Sequence, residues 1–591
     1  MTLVLAQILI LALLVAGWGY WIWKFLFNGR PRFRFDWLVA GLAGYVAQLV
    51  LLDATTRVGV PLRISAWPAL AIGGLGVVGV LRWGLGWWAT SSCRTRKEVL
   101  ATLGLFAVVF AFQCLGLLHE GPQNYYGKGR SDQMLWVTYG QYLLENGLPA
   151  STVPEPERQP WALLATSARH QRITAAVANA ELAVVSLTHA KAAYGVQSIF
   201  FAALVPLCVF TVFRSFSIWL PLAFIGSVWV GVLPSLTKIH LDGFFAQVSV
   251  LFVFPLLLAA CRFRLDRHWR GLVVIAIFLA YLFIAYTDFY PFALVLLALL
   301  FACPWPRREK GWTLRFGMVV ILSLSLSALY LRLGVMLFLY HFHVANSKPA
   351  ALELLVPRAG TVWGWSETFF RPLPVGATPS YDAVSLCILL AALVGISAFF
   401  SRSLRNRYYL VAAAAAPVAY LSVLVAGGSY PKYPFWKVSD SFAWLLVLMF
   451  LMGCYRLALL IGKHGPARVV SLVAACGFAV LSFFGFLQEM RVVLRGEEIL
   501  TALNKPPVKL AFRYLDEHPR TSILIREKNP VVVGWLSYHG RKGAVYLDRN
   551  WPGDSYLPPG NWTFYSDPPD ERNTLVWNGE DLTLLRGAAR N

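Results

Sequence analysis

Acidic residues are scarce in this chain. Of its 591 residues 30 are Asp or Glu against 52 Lys or Arg, and charged residues of either sign make up 14%, where a soluble domain carries about a quarter. With 58% hydrophobic residues there is too little polar surface to cover a globule in water, so an ordinary soluble protein is excluded. Paired cysteines are lacking too. Cys93, Cys114, Cys208, Cys261, Cys303, Cys387, Cys454 and Cys476 fall in apolar runs or at their ends, and the polar C-terminal part has none. This excludes a disulfide framework and a cysteine-based zinc site. No glycine-rich loop is placed to cradle a nucleotide; Gly73, Gly74 and Gly76 lie inside an apolar run, where glycine serves close helix packing. The formal charge of +22 is scattered over short loops instead of being massed in one polar block. It reads as a topology signal beside anionic lipid, and nucleic acid is not a partner.

What is present is a succession of apolar runs. Runs long enough to span a bilayer lie near residues 3–27, 36–53, 64–88, 98–119, 192–213, 217–235, 245–261, 271–287, 289–303, 315–340, 383–400, 408–426, 440–456 and 468–487. They predict an α-helical polytopic membrane protein of about fourteen spans. The first run lacks a basic leader and is too long for a signal segment, so it reads as a retained helix. Basic clusters recur in every second loop: Arg30, Arg32 and Arg34; Arg94, Arg96 and Lys97; Arg262, Arg264, Arg267 and Arg270; Arg307, Arg308 and Lys310; Arg402, Arg405 and Arg407; Lys463 and Arg468. By the positive-inside rule these loops are cytoplasmic, which places both termini and the long 120–190 loop outside. From about Gln488 the composition turns polar and alternates helix (507–517), strand (522–526), helix (530–539) and strands (543–547, 574–577, 582–585), the pattern of a small exported α/β domain. The expected division is 1–97, accessory helices; 98–487, the main membrane domain; and 488–591, the α/β domain, which would contribute acceptor contact or a lid.

Chemistry concentrates in the loops of the outer side. The stretch from Gly121 to Pro149 carries Lys128, Arg130 and Asp132, then an amphipathic helix along the membrane surface with Leu135, Tyr139, Tyr142 and Leu143 at helical spacing. Asp132 in the first turn suits the helix dipole, and an acid beside two bases at an interface can also orient a hydroxyl nucleophile while the bases hold a phosphate. Glu120, next to His119, is the competing acid. The loop 236–247 brings Lys238, His240 and Asp242 together before Gly243; the turn 286–291 sets Asp288 between two apolar runs; the loop 341–382 holds His341, His343, Arg358 and Arg371; the loop 427–440 holds Lys432 and Lys437 among aromatics. Two histidines without a third ligand make no metal site. No cofactor is expected, and a divalent metal has no ligand set to support it.

The pattern from Ser131 to Pro149, an acid followed by an amphipathic helix ending in Leu-Leu-x-x-Gly-x-Pro, resembles the first external loop of the GT-C superfamily of bacterial membrane glycosyltransferases. Gly-Phe-Phe-Ala-Gln at Gly243 to Gln247, Tyr-Thr-Asp-Phe-Tyr-Pro at Tyr286 to Pro291 and the Tyr- and Lys-rich loop from Tyr430 to Lys437 are similar as well. The chain differs in having three spans ahead of the corresponding first one and a lone Asp where an acidic pair is common. The resemblance implies sugar transfer from a polyprenyl-phosphate donor to a lipid, glycan or protein acceptor of the cell envelope, at the outer face of a cytoplasmic membrane. It implies Asp132 as general base, with Asp242 or Glu120 as a second acid. Lys128, Arg130, Lys238, His240, Lys432 and Lys437 would face the donor phosphate, with Asp288, Arg358 and Arg371 as further candidates. A transporter or flippase of lipid-linked saccharides and a polysaccharide polymerase or ligase are the alternatives. The Arg- and His-bearing 341–382 loop keeps the last open, whereas a transporter would place ionisable groups midway through its spans, and the acids here gather in the outer loops, which favours the enzyme.

Overall fold

In a bilayer each backbone N–H and C=O must be satisfied within its own segment, so apolar runs become helices. The computed structural model describes residues 1–27, 35–90, 92–129, 131–148, 171–302, 311–347, 404–426, 443–455, 464–496, 500–527, 529–547, 574–579 and 582–584. Its helices are α1 (Thr2–Phe27), α2 (Asp36–Arg57), α3 (Leu62–Thr90), α4 (Cys93–Gln113), α5 (Leu115–Glu120), α6 (Ser131–Glu145), α7 (Thr174–Val185), α8 (Ala190–Ser215), α9 (Leu220–Gly231), α10 (Pro234–Leu241), α11 (Phe245–Val250), α12 (Val253–Arg262), α13 (Trp269–Ala285), α14 (Tyr290–Ala302), α15 (Trp312–Leu326), α16 (Leu331–Ser347), α17 (Leu404–Ala426), α18 (Ala443–Tyr455), α19 (His464–Arg495), α20 (Leu500–Leu503), α21 (Pro506–Glu517) and α22 (Pro530–His539). The protein is thus a polytopic helical membrane protein. Its C-terminal part holds a four-stranded sheet in the order β2-β1-β3-β4, with β1 (Ser522–Ile525) parallel to β2 (Val545–Leu547) and β3 (Thr574–Trp577), and β4 (Leu582–Leu584) antiparallel to β3.

Among the described residues fewer spans are found than the fourteen expected. Among the described residues six helices are long and apolar enough to cross a membrane, and counting two bent pairs makes eight: α9 with α10, bent by 41°, and α15 with Ala328–Tyr340, bent by 70°. The runs at 271–287 and 289–303 fold as helices of 17 and 13 residues with a one-turn 3-10 helix, Thr287–Phe289, between them. The run at 383–400 lies outside the described residues. Hydropathy counts apolar stretches and does not see where polar residues break them.

Close approach of glycines organises the first three helices. A Cβ added at Gly17 would lie 2.0 Å from the Gly73 carbonyl oxygen, one at Gly76 would lie 2.0 Å from that of Gly17, and one at Gly19 would meet the Gly41 Cα at 2.4 Å. Trp18 Nε1 adds a hydrogen bond to the Ala69 carbonyl at 3.0 Å. This unit is tied to the remainder by Gln7, which donates to Ser186 Oγ at 3.2 Å, and by Arg270, which donates to the Phe25 carbonyl at 2.9 Å.

Two polar ends result. One carries Gln7, Arg57, Asp132, Asp242, Asp288 and Glu489; the other carries Arg94, Glu98, Arg214, Arg262 and Arg468. The break between α9 and α10 positions the first of these ends. Pro234 opens α10, and Gln113 Nε2 takes up the freed Gly231 carbonyl at 2.8 Å and donates to Thr237 Oγ1 at 3.1 Å.

If the glycine contact sets the spacing of α1 and α3, Gly17→Ala should lower the thermal unfolding midpoint of the detergent-purified protein by several degrees, the scale of overpacking at about 1–3 kcal/mol. Gly74→Ala, where an added Cβ meets nothing within 4 Å, should leave it unchanged. Equal midpoints for the two variants would refute this packing.

Candidate functional site

The site is assembled from three segments that meet through glycine. Gly127 (φ 51°) and Gly129 (φ 70°) shape the loop ahead of α6. A Cβ at Gly127 would lie 2.6 Å from the Leu241 carbonyl oxygen, which also accepts the Lys128 backbone N–H at 2.8 Å. At the end of α10 the chain turns through Asp242 and Gly243 (φ 81°), and a Cβ at Gly243 would lie 2.8 Å from the Gln133 nitrogen in the first turn of α6. Gln133 closes the triangle by donating from Nε2 to the Tyr125 carbonyl at 3.1 Å. Neither contact leaves room for a side chain.

This clasp brings charges together. Lys128 Nζ lies 3.4 Å from Asp242 Oδ1 and forms a second ion pair with Glu489 of α19; the Lys128 and Asp242 side chains are 6% and 4% exposed. Asp132 begins α6 next to Gln133, half-buried, and lies near enough to Tyr194 to act on it electrostatically. The Tyr194 ring packs on Phe245 at 5.0 Å. His240 is buried within the electrostatic reach of Lys128, and neither of its ring nitrogens has a hydrogen-bond partner among the described residues.

Of the residues singled out from the sequence, Lys128, Asp132, His240 and Asp242 therefore converge. Lys238 does not: it is exposed on α10, on another side from buried His240. The expected loop 236–247 is a helix end up to Leu241, and that helix separates the two side chains. Glu120 ends α5 and faces Tyr126 electrostatically. Asp288 belongs to a second cluster, where it pairs with Arg172 Nη1 at 3.1 Å while that guanidinium lies 4.1 Å over the Tyr286 ring. Arg57 joins this cluster through Tyr330 (4.5 Å to the ring) and pairs with Asp53 at 2.6 Å. Arg130, Arg358, Arg371, Lys432 and Lys437 lie outside the described residues. Sequence reasoning missed Glu489, although it is the only acid between His464 and Arg495, a signal that an apolar helix carries a charge for a reason.

No protein-family profile matches the chain, and no curated protein matches its sequence. Among solved structures it is similar to the arabinofuranosyltransferase AftD from Mycobacteria, determined by single-particle cryo-EM. The identity is 14%, the TM-score 0.42, and the match covers 74% of this chain and 30% of that one. This chain thus spans under a third of that protein's length. A likeness of this degree assigns no activity, and the functional reading below rests on the site.

The helix α6 departs from the surface helix expected. It is buried along most of its length: α7 and α8 pack against it, and α22 of the C-terminal domain covers it further. A Cβ at Gly534 of α22 would coincide with Met134 Sδ at 1.7 Å, and Tyr538 Oη reaches Gln141 Oε1 at 3.5 Å. The centre of this contact is Lys191 at the start of α8, whose Nζ donates to Tyr126 Oη at 2.5 Å and lies 4.1 Å and 5.1 Å from the Tyr126 and Trp535 ring centres. His539 Nε2 sits 3.3 Å from the same Nζ, and His539 Nδ1 sits 2.9 Å from Asp516 Oδ1. The neutral tautomer with its proton on Nδ1 satisfies both.

Burial first, and then the nearby Lys191 charge, push His539 down from its ordinary 6.5 to about 4, against the opposing pull of Asp516. Burial acts to raise Asp516, but the His539 hydrogen bond and the surrounding positive charge outweigh it and hold the carboxyl below its usual value. Both shifts have one sign: the undocked form binds more protons, so the contribution of these two groups to docking is fully present above about pH 6.5 and weakens as pH falls toward 4. Hydrogen exchange in α22 should therefore quicken on the order of tenfold or more between pH 7 and pH 5, after correction for intrinsic rates. In His539→Gln the added dependence should be much reduced. Protection that is flat from pH 7 to 4 would refute the neutral His539.

Proposed function

We propose that the chain is a membrane glycosyltransferase that moves a sugar from a polyprenyl-phosphate donor to a hydroxyl of a lipid, glycan or protein acceptor. The observation that carries this reading is the convergence of Asp132 and Asp242 at the Gly243–Gln133 contact, beside Lys128 and the buried His240. Asp132 starts a helix, where the dipole supports its ionised form. It takes the proton of the acceptor hydroxyl as that oxygen attacks the anomeric carbon. The bond from this carbon to the phosphate oxygen breaks, and the electron pair leaves with the polyprenyl phosphate, inverting the sugar carbon. Asp242, fixed by Lys128, orients acceptor or donor. Buried imidazole nitrogens are costly without a partner, and His240 is suited to hydrogen-bond a substrate oxygen.

The end of the bundle bearing these groups is extracytoplasmic on this reading, because the basic loops lie at the other. Acids gathered at one end also support an enzyme over a transporter, which would carry them midway along its helices.

Transfer from a radiolabelled polyprenyl-phosphate sugar, followed in membranes carrying each form, tests the assignment. Asp132→Asn should lower turnover by about 10²-fold or more, the scale of general base catalysis, with protein level unchanged, since Asn serves a helix start about as well as Asp. Near-normal turnover in the Asn form would remove Asp132 as the base.

A further inference from the structure

At the end of the bundle away from Asp132, the first turns of α4, α9 and α19 and the last turns of α8 and α18 enclose a cavity of about 570 Å³. Its lining is strongly basic: Arg94, Lys97, Arg214 and Arg468 face a single acid, Glu98, leaving three positive charges in excess. Glu98 is already engaged. It accepts from Arg214 Nη2 at 2.6 Å and has Arg94 at 3.9 Å. Arg214 is buried, spends Nη1 on the Ile218 carbonyl, and keeps an Nε with no hydrogen-bond partner among the described residues. Lys97 and Arg468 are exposed at the cavity, and the Arg468 guanidinium lies 5.8 Å over the ring of Trp219, itself a lining residue.

The remaining wall is apolar, formed by Leu222, Leu451 and Met452. A site for a free soluble anion has no need of such a wall, and a chain of nucleotides exceeds the volume. Bases and a tryptophan above an apolar wall, at the ends of spanning helices, match the cross-section of a lipid at headgroup depth. We propose that this cavity binds the phosphate headgroup of an anionic phospholipid, whose acyl chains lie along the Leu222 and Leu451 side. It is separate from the transfer site, since α8 alone, 26 residues from Ala190 to Ser215, sets the two ends roughly 39 Å apart. It does not depend on the function proposed above.

The test uses the full chain in detergent, with phosphatidylglycerol, phosphatidylcholine and inorganic phosphate as probes, read by native mass spectrometry and by the thermal unfolding midpoint. Phosphatidylglycerol should bind and raise the midpoint, and phosphatidylcholine should do neither. The double variant Lys97→Gln with Arg468→Gln, both at exposed positions, should weaken phosphatidylglycerol binding about 30-fold while its midpoint in phosphatidylcholine stays that of the parent. Arg94→Gln, at a side chain 65% exposed, provides an independent variant expected to lose about fivefold. Equal binding of the two lipids would overturn the proposal, as would phosphatidylglycerol binding that both variants leave intact. Millimolar inorganic phosphate that displaces the lipid and raises the midpoint as far would overturn the lipid in favour of a soluble phosphate.

Discussion

The loop end of this protein depends on two backbone contacts that only glycine permits. At Gly127 and Gly243 the chain comes within 2.6 Å and 2.8 Å of where a Cβ would stand, and through these contacts the loop ahead of α6, the first turn of α6 and the turn after α10 become one rigid piece. Lys128 then reaches both Asp242 and Glu489. Removing one member of such a buried pair costs about 3–5 kcal/mol, because the other charge is left uncompensated. The ion pairs therefore oppose any opening of the clasp, and the clasp excludes the water that would weaken the ion pairs. Glu489 extends this coupling to α19, which leads directly into the C-terminal domain.

Much of this was legible in the sequence. Apolar runs located the helices, and the turn residues of the C-terminal part located the elements of its domain to within a residue or two, as for Pro506–Glu517 and Ser522–Ile525. Asp132, Lys128, Asp242 and His240 were marked by being polar beside apolar runs. Other features needed tertiary information. Lys238, His240 and Asp242 looked like one loop because their polarity masked a helix that Pro234 opens, and two of the three side chains leave that helix in different directions. The amphipathic pattern of α6 promised a face for water, but its further cover comes from α22, where Tyr538 lies 397 residues beyond the Gln141 it reaches, and no local window contains it. Glu489 was legible in principle, as a lone acid in a long apolar helix.

The cover over α6 explains Lys191. A lysine in the first turn of an apolar helix ordinarily extends its ammonium toward water. Here Tyr126, Trp535 and His539 surround that ammonium, so the side chain holds the C-terminal domain in place instead. A roof of this kind lowers the local dielectric beside Asp132 and Asp242. Fixed charges there act on one another more strongly than they would in water.

The helix α8 connects the two ends of the molecule physically. It begins at the aromatic cage of Lys191 and finishes at Arg214 in the basic cavity, and its roughly 39 Å length is close to the full bilayer thickness of about 40–45 Å with headgroups. Both of its ends are anchored by charge, Lys191 through the C-terminal domain and Arg214 through Glu98. A helix pinned at both ends cannot slide along the membrane normal without breaking one of these contacts. The Asp132 junction is accordingly held at a constant depth, near one end of the bundle.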